Sequence, residues 1–188
     1  MLAEGRHRGA SLGRVTGDPA AQAPLLVRTA RRQRTERTPV WFMRQAGRSL
    51  PEYRAVRGEG SILDAIKRPD LATEITLQPW RRYGVDAAVL YSDIVVPAHA
   101  VGFGIDVAPG TGPVAGEPFR SAADLERLRP FEPDTDTPYV LQTVRQLVGE
   151  LPAEVPVLAF AGAPFTVDRK STRLNSSHSQ QSRMPSSA

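Results

Sequence analysis

Three largely apolar runs recur along the chain, and segments with helical patterns lie between them. The runs are residues 40–43 (VWFM), 85–94 (VDAAVLYSDI) and 155–161 (VPVLAFA). Short apolar runs of this kind are typical of strands that are covered on both faces in a parallel sheet. We therefore predict three buried strands in a protein of the α/β class.

The segments before and between the first two runs carry signals of helix starts and ends. A short basic helix is predicted within residues 25–38, and Ser61 with Asp64 predicts a second, capped helix. Pro69 suits the first position of a longer helix, because the first turn leaves its N–H groups unused, and Gly84 suits the position after its end. Strands that alternate with helices in this way favour βαβ units with right-handed crossovers.

The segment between the second and third runs is predicted to hold a hairpin and two more helices. Glycines and alternating apolar residues over 97–118 indicate the hairpin. Ser121 is predicted to cap a short helix, and Thr137 to cap a longer one that starts at Pro138 and ends at Gly149. From this pattern alone, the sheet is either open or part of a barrel.

The composition excludes several kinds of site and protein. The 188 residues include no cysteine, so disulfides and thiolate metal sites are excluded, and the three histidines are far apart, so no metal site is predicted. No run approaches the roughly 20 apolar residues of a membrane span, and the N-terminus lacks the apolar stretch of a secretory signal. The chain is also shorter than the about 250 residues typical of a complete eight-stranded barrel.

The net charge of +4 is unevenly distributed along the chain. Residues 1–60 carry +7, residues 61–168 carry −7, and residues 169–188 carry +4. Since the last twenty residues account for the whole excess, the basic isoelectric point is poor support for nucleic-acid binding.

The two ends differ in composition from the part between them. Residues 1–24 are rich in Gly, Ala and Arg without periodicity, and residues 168–188 are polar and Ser-rich. The final segment also resembles translated sequencing-adapter or vector sequence. We expect a disordered leader, an ordered part over residues 25–167, and a non-native disordered tail.

Polar side chains follow the first predicted strand in the string Arg44, Gln45, Ala46, Gly47, Arg48. Two guanidiniums and an amide are suited to binding carboxylates or phosphates through forked hydrogen bonds, and glycine allows close backbone approach. Arg54 and Arg57 extend the positive field. The alternative interpretation is a solvated basic loop.

Asp93 stands at the end of the second predicted strand. If the strands are parallel, this acid and the arginines after the first strand lie at the same edge of the sheet. The sequence leaves open whether Asp93 is catalytic or serves as a helix cap or structural ion-pair partner.

Three motifs in the same order resemble the signatures of the uroporphyrinogen decarboxylase family. PVWFMRQAGR at 39–48 continues into SLPEYR, YSDI follows at 91–94, and GAPFTV at 162–167. The resemblance covers residues 25–167 and implies a (β/α)8 barrel, of which this chain would hold about the first three β/α units. It also implies a cytoplasmic enzyme that is a homodimer at full length.

The resemblance implies a decarboxylase that converts the four acetates of uroporphyrinogen, a tetrapyrrole substrate, to methyl groups. Asp93 would accept hydrogen bonds from the pyrrole N–H groups and stabilise the cation that forms on protonation of a pyrrole. Arg44 would assist proton transfer or orient the reacting acetate. The substrate would be bound by Asp93 together with Arg44, Gln45, Ala46, Gly47 and Arg48. No cofactor is implied, because the pyrrole is its own electron sink.

One departure from the family pattern lies near the end of the chain. The family signature continues to a tyrosine where this sequence has Lys170, and the serine and histidine of later strands are also missing. The resemblance therefore implies a truncated fragment of the enzyme, and we expect this fragment to be inactive. Two alternatives remain: a cobalamin-dependent methyltransferase of the same barrel superfamily, and a basic nucleic-acid-binding module.

Overall fold

The structure is a computed structural model that describes residues 23–108 and 112–167. For residues 44–46 and 108 it describes the backbone alone. The predicted tail, nearly all of the predicted leader and the turn of the predicted hairpin lie outside the described residues.

The elements of the described residues include seven α-helices, two 3₁₀ helices and four short strands. The helices are α1 (Leu25–Ala30), α2 (Pro51–Arg57), α3 (Ile62–Ile66), α4 (Pro69–Tyr83), α5 (Val96–Ala100), α6 (Pro133–Asp136) and α7 (Pro138–Glu150). The strands are β1 (Ala88–Val89), β2 (Ile105–Ala108), β3 (Gly112–Ala115) and β4 (Val157–Leu158), and the 3₁₀ helices span Arg44–Ser49 and Ala122–Arg127.

Strands β1 and β4 lie within the second and third predicted runs and pair in parallel. Ala88 is opposite Val157 and Val89 is opposite Leu158. The Leu90 N–H donates to Leu158 O at 3.0 Å, which extends the ladder by one bond. A parallel pair whose connection contains helices confirms the α/β class.

The prediction of a buried strand over residues 40–43 is wrong. These residues are not a strand, and their side chains are exposed, with Met43 at 65%. The Asp86 N–H does donate to Val40 O at 2.7 Å, but the Val40 N–H is bound by the Asp86 carboxylate instead of a backbone carbonyl. The Asp86 carboxylate therefore takes the place of the backbone carbonyl that would accept this N–H in a strand ladder. The described elements leave the side chains of this run exposed.

The third run is also less buried than predicted. Its side chains are half-buried around β4, and Phe160 is exposed. Strand β4 has β1 on one side, and among the described residues no strand pairs with its other edge. A strand with one neighbour exposes more surface than one inside a sheet.

The helix signals between the first two runs are confirmed. Ser61 and Asp64 form the predicted capping box at the start of α3, and α4 begins at Pro69. Gly84 follows α4 in the left-handed conformation, with φ 61° and ψ 36°, which glycine adopts without steric cost.

Helix α7 differs from its prediction at both ends. It begins at Pro138 as expected, but Thr137 makes no capping bond, because its hydroxyl donates to Pro133 O at 3.2 Å within α6. Gly149 lies inside the helix, which ends at Glu150.

The predicted hairpin is confirmed as the antiparallel pair of β2 and β3, with Ile105 opposite Ala115. The predicted helix after Ser121 is a 3₁₀ helix with a capping box to Asp124. The sequence reasoning missed α5, whose proline stands in the first turn, where the missing N–H costs no intrahelical bond.

The core consists of two clusters of buried side chains on either side of α4. One joins α3, α4, the residues after β1 and the hairpin, and the other joins α4, β1 and α7. Side chains that are almost completely buried include Ile66, Leu77, Ile105 and Leu147. Helix α4 therefore supports both halves of the described structure. None of the described helices has the length and apolar character needed to cross a membrane.

Candidate functional site

The Arg44 to Arg48 segment is a 3₁₀ helix, held between the exposed run 40–43 and α2. Gly47 is buried, and a Cβ atom built on it would lie 3.4 Å from Pro79 Cγ of α4. Leu50 is almost completely buried, and its N–H donates to Gly47 O at 3.0 Å. The close approach at Gly47 is therefore to α4, and close approach to a ligand stays a prediction.

Arg48 presents an exposed side chain on this 3₁₀ helix, and none of the ion pairs among the described residues involves it. The side chains of Arg44, Gln45 and Ala46 lie outside what the structure describes. The arrangement of these three side chains toward a substrate stays a prediction.

Asp93 lies in the turn between β1 and α5, and its side chain is half-buried. Its Oδ1 accepts a hydrogen bond from the Val95 N–H at 3.1 Å, and its carbonyl oxygen accepts from the Val96 N–H at 3.2 Å. Its Oδ2 accepts none of the hydrogen bonds among the described residues. The carboxylate thus stabilises the turn through one oxygen, and its role toward a substrate stays a prediction.

The two candidate segments share one support on α4. Gly47 packs on Pro79, and the N–H of Tyr91, two residues before Asp93, donates to Thr76 Oγ1 at 2.9 Å. Positions 76 and 79 are three apart on a helix and therefore lie on the same face. A single turn of α4 supports the segments that carry Arg48 and Asp93.

Tyr91 links the Asp93 segment to α2, a contact that the sequence reasoning missed. Its hydroxyl accepts from Arg57 Nε at 3.1 Å, and its ring lies edge-on to that of Tyr53 at 6.4 Å. Burial, together with the neighbouring Tyr53, raises the pKa of Tyr91 to about 12. Arg57 is predicted from the sequence only to extend the positive field. In the structure its guanidinium donates hydrogen bonds to this hydroxyl and to the carbonyl oxygen of Gly60.

Asp86 connects the 40–43 run to the second run and was also missed. Both of its carboxylate oxygens bind the Arg37 guanidinium, at 2.7 and 2.5 Å, and Oδ2 accepts from the Val40 N–H at 2.7 Å. The Arg37 guanidinium, and the Val40 N–H after it, hold the pKa of the Asp86 carboxyl below its usual value. A single acid in the otherwise apolar string VDAAVL was the signal, because a charge within a buried run requires a partner.

The described residues offer two further observations about the site. No group of three or more His, Asp or Glu residues among them could hold a metal ion. A small apolar pocket is lined by Phe42, Met43, Trp80 and other residues of α4 and β1, but by neither Arg48 nor Asp93.

Comparison with known proteins finds the same family along most of the chain. The family model described as uroporphyrinogen decarboxylase (URO-D) matches residues 21–171. The uroporphyrinogen decarboxylase of Salinispora tropica is 58% identical over 151 residues, covering 80% of this chain and 40% of that protein. That of Thermobifida fusca is 55% identical over 146 residues, covering 78% of this chain and 40% of that protein.

A solved structure shares the fold. It is a methyltransferase from Methanosarcina mazei, with a TM-score of 0.55 and 19% identity, covering 78% of this chain and 44% of that one. At this identity the likeness shows the fold alone. The chain spans about 40% of the length of the curated relatives named above. With a family model matched over most of its length and identities above one half, the chain belongs to the uroporphyrinogen decarboxylase family.

Proposed function

We propose that this chain supplies the part of a uroporphyrinogen decarboxylase that binds the substrate carboxylates and stabilises the reacting pyrrole. The reaction is the loss of CO₂ from each of the four acetate side chains of uroporphyrinogen III, which leaves methyl groups and gives coproporphyrinogen III. The observation that carries the proposal is the common support of the Arg48 and Asp93 segments on one turn of α4. This shared support connects the segment that carries Arg48 with the segment that carries the Asp93 carboxylate, in a chain that belongs to this family.

Asp93 is the proposed electrostatic group for the chemical step. Protonation of a pyrrole ring makes it a cation that can take up the electrons left when CO₂ departs. A carboxylate close to the pyrrole N–H groups stabilises this cation, and it does so most effectively where water is excluded. The bond from the Val95 N–H to Oδ1 fixes the carboxylate, so that it need not reorganise during the reaction.

The segment Arg44 to Arg48 is proposed to bind substrate carboxylates. Arg48 suits this role because its exposed guanidinium forms no ion pair among the described residues. A guanidinium binds a carboxylate through two parallel hydrogen bonds, which fixes direction as well as distance. Arg44 is proposed to orient the reacting acetate or assist proton transfer, with Gln45, Ala46 and Gly47 completing the binding segment.

We further propose that the described residues form about the first three units of a (β/α)8 barrel. Support comes from the order of segments, because the Asp86 N–H, two residues before β1, donates to Val40 O, and β4 pairs in parallel with β1. In a barrel of parallel strands, consecutive strands are neighbours in this way. A homodimer, a cytoplasmic location and the absence of nucleic-acid binding remain predictions for the full-length protein.

The proposal is tested in a hybrid enzyme in which residues 25–167 of this chain replace the matching part of the Salinispora tropica protein. We expect the hybrid to release coproporphyrinogen from uroporphyrinogen. A soluble hybrid that melts cooperatively but is inactive, beside an active parent enzyme, would contradict the proposal. Methyl transfer by the hybrid would favour the methyltransferase alternative, which the solved structure supports at the level of fold alone.

A further inference from the structure

We propose that Asp86 is a positioning residue that fixes the register of the Arg44 to Arg48 segment relative to the Asp93 segment. The proposal rests on the function proposed above, since it concerns the same site. None of the hydrogen bonds among the described residues joins Asp86 to a predicted site residue, so Asp86 is proposed to act through the backbone of residue 40.

Four hydrogen bonds join Asp86 to residues 37–40. Its carboxylate accepts two from the Arg37 guanidinium, at 2.7 and 2.5 Å, and one from the Val40 N–H at 2.7 Å. Its own N–H donates to Val40 O, also at 2.7 Å. The Asp86 side chain is 13% exposed, whereas that of Arg37 is 57% exposed. The acid is therefore the shielded centre of the contact, and the arginine covers it from outside.

These bonds lie a few residues before each of the two candidate segments. Val40 comes four residues before Arg44, and Asp86 comes seven residues before Asp93. A shift of one residue along an extended chain is a displacement of about 3.3 Å, which is larger than a hydrogen bond tolerates. Because Val40 bonds to Asp86 through both its N–H and its carbonyl, such a shift would break both of these bonds.

The charge of Asp86 matters for this contact. The Arg37 guanidinium and the Val40 N–H keep its pKa low, so the carboxylate is ionised at neutral pH and accepts three hydrogen bonds. Asn at this position keeps the shape but replaces one accepting oxygen with an N–H₂ group. Asp86→Asn therefore sets a donor against one nitrogen of the guanidinium in one orientation of the amide, and against the other nitrogen and the Val40 N–H in the opposite orientation.

The chain contains a matched control in Asp136. Its carboxylate accepts two hydrogen bonds from Arg129, at 3.0 and 2.6 Å, and one from the Glu132 N–H at 2.8 Å. Its side chain is 6% exposed, and Arg129 lowers its pKa as Arg37 lowers that of Asp86. Asp136 is the last residue of α6, and its own bonds join residues at most seven apart, although the same Arg129 also donates to Ala100 O at 2.8 Å. Asp136→Asn therefore disrupts the same kind of contact, a carboxylate bound by a guanidinium and a backbone N–H. It leaves the bonds between Asp86 and residues 37–40 in place.

The first test measures hydrogen exchange in the full 188-residue chain. Asp86→Asn is expected to speed exchange in the peptide covering residues 44–49 by about tenfold or more, through local opening. Exchange in α7 is expected to stay unchanged, and Asp136→Asn is expected to leave residues 44–49 unaffected. An equal rise in all peptides of Asp86→Asn, or no rise at residues 44–49, would overturn the proposal.

The second test measures steady-state kinetics in the hybrid enzyme. Asp86→Asn is expected to lower kcat/KM by about tenfold or more, whereas Asp136→Asn leaves it within about twofold. Asp86→Glu, which keeps a carboxylate, is expected to recover part of the loss. Equal kinetics for Asp86→Asn and Asp136→Asn would refute positioning. An inactive unsubstituted hybrid would count against the proposed function, and hydrogen exchange would then decide on Asp86 by itself.

Discussion

The carboxylate of Asp93 combines an observed structural bond with a proposed catalytic role. The sequence left open whether this acid is a cap or a catalytic group, and the bond from the Val95 N–H to Oδ1 shows that it does stabilise the turn. That bond involves one oxygen, so it is compatible with catalysis through the other. The sequence motifs identified the candidate site residues. The hydrogen-bond partners of these residues were not predictable in the same way, because they depend on contacts between distant segments.

Arg48→Lys tests whether a forked contact binds the substrate. Lysine keeps the charge but loses the planar pair of donors, so in the hybrid enzyme we expect KM to rise with kcat little changed. The loss should correspond to about one forked hydrogen bond, roughly 1.5–3 kcal/mol. Arg145→Lys on the exposed side of α7 is the control and should leave both constants unchanged. A fall in kcat at constant KM would assign Arg48 to the chemical step instead.

The elements divide into those with local signals and those that depend on distant neighbours. The capping box of α3, the start of α4 at Pro69 and its end at Gly84 were predictable, because each depends on residues within one turn. The state of residues 40–43 was not, because it depends on what covers them and on a carboxylate 46 residues away. Thr137 fails for a different, local reason, since its hydroxyl donates to Pro133 O, four residues back in α6, instead of capping α7.

The contact of α2 with the Tyr91 segment should make stability depend on alkaline pH. Burial, with Tyr53 beside it, raises the pKa of Tyr91 from 10.0 to about 12. The unfolded chain therefore releases this proton first, so the stabilisation is fully present below pH 10 and is lost as the pH rises toward about 12. Denaturation curves should show the free energy of unfolding falling across this range.

Substitution of two different tyrosines tests whether Tyr91 causes this pH dependence of stability. Tyr91→Phe removes the ionisable group and should flatten the fall, whereas Tyr83→Phe, at a tyrosine that is 45% exposed, should retain it. An equally steep fall in Tyr91→Phe would assign the pH dependence to another group.

Among the large apolar side chains that the described structure exposes, two groups lie close in sequence to the predicted strands. Residues 40–43 form one, and Phe160 and Phe165 after β4 form the other, with Phe165 71% exposed. Contiguous exposed apolar surface of this kind marks a face that packs against other protein. The chain spans about 40% of the length of its relatives, and in the proposed barrel these faces would meet the remaining units.

We therefore expect the isolated 188-residue chain to self-associate as its concentration rises. Met43→Lys should weaken the association by placing a charge on the exposed run, whereas Val148→Lys, at an equally exposed position on α7, should not. Sedimentation velocity over a range of concentrations measures both. A monomer at all concentrations, with a sharp cooperative melt, would contradict this expectation.

The most direct test of the proposed function is the kcat of the hybrid enzyme carrying Asp93→Asn, with uroporphyrinogen as substrate. This substitution keeps the shape and an acceptor for the Val95 N–H but removes the charge that would stabilise the pyrrole cation. Loss of such electrostatic stabilisation should lower kcat on the order of 10²-fold or more. A near-normal kcat, with the melting temperature unchanged, would show that Asp93 only supports the turn and would contradict its catalytic assignment.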